Sequence, residues 1–184
     1  VLGWKVERIN IGVTPETVKA GYDEAVRRKP DVVLGTGFGP ELFSSELDQL
    51  RKMDIPVMLA SVSNEDPRLT AVYQTNELVT KAGAAQAIWT LAKYGSEANT
   101  LLVDVPDFTT IHAWFAGYKK EYQSLCESCS LTTISFASAD IGTPKIASQV
   151  AANIQAHRNI NAIQVATSEI AQGLPSSLKT LGYK

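Results

Sequence analysis

Apolar positions along the chain alternate between two spacings. Five short runs, at residues 31–35, 56–60, 100–105, 131–136 and 162–166, are apolar almost throughout and predict strands buried on both faces. A further strand is expected at 4–9, and a brief one at 70–73. Between them apolar residues recur every three or four positions, the helical period. The first helix has Thr14 as its cap, Pro15 at its first position, and Val18, Tyr22, Ala25 and Val26 on one face; Lys29 and Pro30 end it. The second follows Pro40 with Phe43, Leu47 and Leu50 as its stripe. The third starts near Asn76, lines up Leu78, Ala82, Ala85, Trp89 and Ala92, and stops at Gly95. The fourth starts at Thr109 or Thr110 and aligns Ile111, Phe115, Tyr118, Tyr122 and Leu125. The fifth runs from Thr143 and Pro144 through Ile146, Val150 and Ile154. The sixth starts at Ser168, is interrupted by Pro175 and resumes through Leu178 and Leu181. Each stripe is expected to pack into a core.

Strand and helix in alternation build an α/β fold of parallel sheets flanked by helices. The rhythm breaks once, over residues 61–75, a long polar stretch containing Pro67. Connections of this length pass between domains or carry function, so two lobes are expected, 1–73 and 74–184. Parallel sheets place ligand crevices outside the carboxyl ends of their strands. The loops after Leu34, Ala60, Val105, Phe136 and Ala166 are therefore where function is sought.

Composition narrows the partners. The 45% hydrophobic content suits a packed core. With 17 basic residues against 19 acidic ones and no basic run, nothing tracks a phosphate backbone, which argues against nucleic acid as a partner. No apolar stretch approaches the roughly 20 residues that a membrane helix needs.

Catalytic motifs are weak. Gly35-Thr36-Gly37-Phe38-Gly39 sits between a strand and a helix, where a phosphate cradle belongs, but its third glycine comes one residue early and Pro40 removes a donor. A flexible ligand loop is the better account, and no cofactor is expected. There is no Gly-x-Ser-x-Gly elbow, and His157 falls at a helix end, where capping explains it. Cys126 and Cys129 follow Leu125 at the end of the fourth helix. That end of the dipole disfavours the thiolate that redox catalysis needs. A structural zinc site would want two more ligands nearby, so no metal is expected.

Several segments resemble the type I periplasmic binding proteins, the solute-binding subunits of sugar-type ABC importers similar to ribose-binding protein. They are Leu2-Gly3-Trp4-Lys5-Val6, Thr14-Pro15-Glu16 with Ala25-Val26, Lys29-Pro30-Asp31-Val32-Val33 and Ile55-Pro56-Val57 in the first lobe. In the second they are Gly117-Tyr118-Lys119 and the stretch 162–174. The resemblance implies two Rossmann-like lobes, and it implies that this chain is an internal excerpt: the family's first strand and helix precede Leu2, and further strands follow Lys184. The strand expected at Trp4 would then lack its neighbour, and the missing strand would come from the complete polypeptide or from another chain.

The family's function implies a ligand cage on the strand-end loops of both lobes. Its candidates are Thr36, Phe38 and Ser61 in the first lobe, and Asp107, Phe108, His112, Asp140, Thr167 and Ser168 in the second. Thr167 and Ser168 have the alternative of capping a helix, Asp140 of holding a turn, and Phe38 of stapling its helix. Where ribose-like members carry an Arg, this sequence has His112, and the usual Asp-Arg pair reads Ser61-Val62. The site loses charge and bidentate donors, so a less polar or aromatic solute, or a sugar stacked on Phe38 and Phe108, fits at least as well as a simple pentose.

The exported family favours a disulfide between Cys126 and Cys129 over two free thiols. The function implied is a non-enzymatic receptor, a periplasmic protein or surface lipoprotein, that delivers a small molecule to the membrane permease of an ABC importer. The alternative is the effector-binding core of a lactose-repressor-like transcription regulator. A flavodoxin-like enzyme ranks third, for want of a phosphate loop.

Overall fold

A computed structural model describes residues 3–60 and 66–183. The chain divides into two compact units, Val1–Tyr73 and Gln74–Lys184.

Unit 1 holds helix α1 (Pro15–Arg28), strand β1 (Val33–Thr36), a short 3-10 turn (Pro40–Phe43), helix α2 (Ser44–Lys52), and strands β2 (Val57–Ala60) and β3 (Ala71–Tyr73). Its sheet is parallel in the order β1-β2-β3, with Val33 opposite Val57 and Met58 opposite Ala71. Thr14 caps α1 in a reciprocal box with Thr17, Pro15 enters the first turn, and Lys29 turns left-handed at φ 49° to stop it. Val18, Tyr22 and Ala25 are buried, as are Phe43, Leu47 and Leu50 of the second stripe; Val26 is half-buried. The rings of Tyr22 and Phe43 stack with centroids 3.5 Å apart. Gly35 is glycine for contact, since a Cβ there would fall 2.0 Å from the Tyr22 hydroxyl.

The strand expected at 4–9 does not form. Trp4 and Val6 are exposed, and no described strand pairs with this segment, so no ladder holds it. It lies along α1 instead: Ile9 and Ile11 reach Gly21, and Glu7 pairs with Arg28 at 3.0 Å.

Unit 2 holds α3 (Asn76–Tyr94), β4 (Asn99–Asp104), α4 (Thr109–Leu125), β5 (Ser130–Ser135), α5 (Pro144–Ala156), β6 (Ala162–Val165) and α6 (Leu174–Thr180). The sheet order is β5-β4-β6, all parallel, with β4 central. Its alternating side chains feed two cores. Leu101 and Val103, with Val105 just beyond the strand, join Ile146, Val150, Ile154, Ile170 and Leu174. Leu102 joins Ala87, Phe115, Tyr118 and Tyr122. Among the described strands only β4 is buried along its whole length on both faces; β1 and β3 leave alternate residues to solvent, β2 leaves Met58 exposed, and β5 leaves Ser130, Thr132, Thr133 and Ser135 exposed. The expectation of strands buried on both faces is thus corrected for most of them, because an edge strand or a sheet covered on one side has a wet face.

The stripe expected on α3 faces outward. Leu78, Ala82, Ala85, Trp89 and Ala92 are exposed, and the buried residues are Gly83, Ala87 and Thr90. Small size decides this. A Cβ on Gly83 would lie 1.9 Å from the carbonyl oxygen of Trp114, and one on Gly117 would lie 2.0 Å from that of Thr80, so α3 and α4 touch backbone to backbone at two reciprocal glycines. On α4, Phe115, Tyr118 and Tyr122 are buried as expected, but Leu125 is exposed. The hydroxyls of Tyr118 and Tyr122 converge on Thr100, and burial raises the titration of both phenols. The sixth helix does not start at Ser168. Residues 168–173 form turns, and Pro175 sits in the first turn of α6, where its missing N–H costs nothing, rather than interrupting a longer helix.

Cys126 closes α4 and Cys129 precedes β5, and the two are joined by a disulfide. His157 caps α5, its Nδ1 lying 3.1 Å from the Asn153 carbonyl.

Candidate functional site

In unit 2 all three strands point the same way, so the loops after β4, β5 and β6 share one sheet edge. Strand parity assigns the end residue of β4. Thr100, Leu102 and Asp104 face α4, and Asp104 therefore meets the first turns of that helix, where its Oδ2 lies 3.2 Å from His112 Nδ1. The Asp104 side chain is 4% exposed and that of His112 is 60% exposed. Oδ1 of Asp104 is buried with no hydrogen-bond partner among the described residues.

The other acidic candidates hold the loops. Asp107 Oδ2 accepts from the Ser138 backbone N–H at 2.7 Å and ties the loop after β4 to the loop after β5. Asp140 accepts from the Ala137 N–H at 3.2 Å and pairs with Lys145 at 2.9 Å. The Lys145 ammonium holds the Asp140 carboxyl below its ordinary range. Phe108 precedes α4 and packs, half-buried, against the core of the opposite face. Thr167 and Ser168 are exposed in the turn after β6, and both hydroxyls lie at Glu169, whose carboxyl is lowered first by its own backbone N–H and then by Thr167. Neither caps a helix, because α6 begins later.

In unit 1, Thr36 ends β1 and is exposed, while Phe38 in the following loop is only 9% exposed and offers little ring face. Gly37 donates to the Ala60 carbonyl at 3.0 Å, so the loops after β1 and β2 meet. Ser61 lies outside the described residues.

The residue that sequence reasoning missed is Asp104. Its signal was present: a single acidic residue at the carboxyl end of a strand, directly after the apolar run Leu101-Leu102-Val103. A groove of about 320 Å³ lies elsewhere in this unit, along the outer edge of β6, lined by Trp89, Tyr94, Ile163, Gln164 and Tyr183. Among the described residues no cluster of His, Cys, Asp and Glu is arranged to hold a metal ion, and no helix is long and apolar enough to cross a membrane.

No family model and no curated protein matches the sequence. Solved structures do match its fold. The fructose-binding periplasmic domain of a hybrid two-component system superposes with a TM-score of 0.81 at 15% identity, over 99% of this chain and 59% of its own. A 5-methylthioribose transporter solute-binding protein from Thermotoga lettingae, in complex with 5-methylthioribose, gives 0.75 at 13% identity, over 92% and 52%. A protein classed as a LacI transcriptional regulator, from Bacteroides fragilis, gives 0.72 at 12%, over 92% and 58%. The chain has the type I periplasmic-binding-protein fold, and it spans a little over half the length of these proteins.

Proposed function

We propose that this chain is the ligand-binding part of a non-enzymatic receptor that holds a small sugar-like or aromatic solute on its strand-end loops. As a solute-binding protein it would deliver that solute, outside the cytoplasm, to the permease of an ABC importer. The observation that carries the reading is the Asp104–His112 pair, with the exposed imidazole at the carboxyl edge of a parallel sheet. The fold, shared with sugar-binding periplasmic proteins, supports it. The remaining ligand candidates are Thr36, Phe38, Ser61, Asp107, Phe108, Asp140, Thr167 and Ser168, of which Asp107 and Asp140 would act mainly by shaping the loops.

The second reading, an effector-binding regulator core, is favoured by the LacI-type match. The disulfide argues for the importer reading, since such bonds persist in oxidising compartments. A thermal-shift screen over fructose, ribose, 5-methylthioribose and simple aromatic compounds tests the proposal. A ligand that binds only the native state raises the melting temperature by mass action, and the gain grows with the logarithm of its excess over Kd. Ribose is expected to be a weak member of the panel; tight ribose binding would overturn the inference from the missing Arg, and turnover of any bound compound would overturn the receptor reading.

A further inference from the structure

A carboxylate shielded from water ordinarily collects several donors, and one left short of them calls for a reason. Asp104 has His112 on one oxygen, while its other oxygen is buried and unmatched among the described residues. As a purely structural residue it would be bettered by an apolar side chain of similar size, because a half-satisfied buried charge is costly. Its value therefore lies in what it does to the histidine it holds. An ionised carboxylate only accepts, so the proton between them belongs to Nδ1 of the imidazole. In the neutral ring the other nitrogen, Nε2, then carries a lone pair.

We propose that Asp104 is a positioning residue that fixes His112 as its Nδ1–H tautomer, so that Nε2 is offered to the solute as a hydrogen-bond acceptor. The site then selects compounds that present a hydroxyl donor at that point over compounds that present only an acceptor. An arginine in the same place could only donate, so the histidine reverses the sense of the hydrogen bond as well as removing the charge. The selectivity rests on the receptor reading above; the tautomer does not.

Nitrogen-15 spectra of the imidazoles in the full chain at neutral pH test the tautomer. A protonated, pyrrole-like Nδ1 and an unprotonated, pyridine-like Nε2 are expected for His112, assigned by their loss in His112→Gln. Asp104→Asn offers Nδ1 a donor as well as an acceptor, and is expected to move His112 toward the Nε2–H form while the melting curve stays cooperative. An Nε2–H tautomer in the parent protein, or no change in Asp104→Asn, would overturn the positioning role. Calorimetry with fructose and 5-methylthioribose tests the selection. His112→Lys, a donor only, is expected to weaken binding by about tenfold or more. His112→Gln, whose amide oxygen accepts, should lose less. Undiminished affinity in His112→Lys would overturn the acceptor assignment. If neither these compounds nor the wider panel bind the parent protein, the receptor reading and the selection drawn from it fail together, and the spectra still decide the role of Asp104.

Discussion

The two sheets are built from apolar runs that look alike in sequence, yet they live in different surroundings. In unit 2 the central strand is covered on both sides, with Leu101 and Val103 in one core and Leu102 in the other. In unit 1 the face bearing Val57 and Leu59 is buried, while the opposite face leaves Leu34, Met58 and Tyr73 exposed. An apolar run thus identifies a strand well and its number of covered faces poorly, because coverage is decided by elements distant in sequence.

Substitutions can break this contrast. The largest effect is expected at the helix contact beneath the second sheet. Gly117→Val drives a branched side chain into the carbonyl of Thr80, and a loss of about 4 kcal/mol or more in urea unfolding is expected. A neutral result would mean that α3 and α4 do not touch as described. Leu102→Ala should cost about 3 kcal/mol by the same measurement. Leu34→Ala should stay within about 0.5 kcal/mol. Equal losses at the two leucines would show that both sheets are covered alike. Replacing both Cys126 and Cys129 by Ser releases a short loop and should destabilise unit 2 by about 2 kcal/mol, leaving unit 1 unchanged.

A further effect concerns acid. Glu46 is buried on α2; burial alone would raise its carboxyl, but hydrogen bonds from Lys19 and Ser45 outweigh this and hold it below its ordinary value. A carboxyl depressed in the folded state contributes stability that is whole above its unfolded value of about 4.3 and is lost as pH falls through the folded value. Unit 1 should therefore lose stability below that point, and Glu46→Gln should flatten the acid limb of its melting profile. An unchanged limb would remove the Lys19 pair from the account.

Much of this was legible beforehand for a physical reason. Thr14, Pro15 and Lys29 act through bonds within a few residues, so the bounds of α1 can be read locally. The segment at 4–9 and the stripe on α3 could not be read this way. A strand needs a neighbour that local sequence does not name, and on α3 apolar residues surround the helix, so size rather than polarity chose the buried face. The glycines at 83 and 117 were the available signal, since glycine inside a helix is disfavoured unless something presses against it. The candidate site was half legible. The loops were placed by topology alone, but the Asp104–His112 contact depends on strand parity and on the first turns of α4 together. Asp107 and Asp140 have the same residue type as a ligand anchor, and only their partners, Ser138 and Lys145, show them bracing the loops.

The glycine contact has a bearing on how this protein could acquire a new specificity. His112 lies five positions before Gly117 on a rod that is seated main chain to main chain, without pliable side chains between. Such a seat has no slack to absorb a shift, so a bulkier residue there would re-aim the imidazole as surely as a change beside it. On the receptor reading proposed above, variation that retunes preference should then gather in the loops and at position 112 itself, while positions 83 and 117 stay silent partners that tolerate almost nothing.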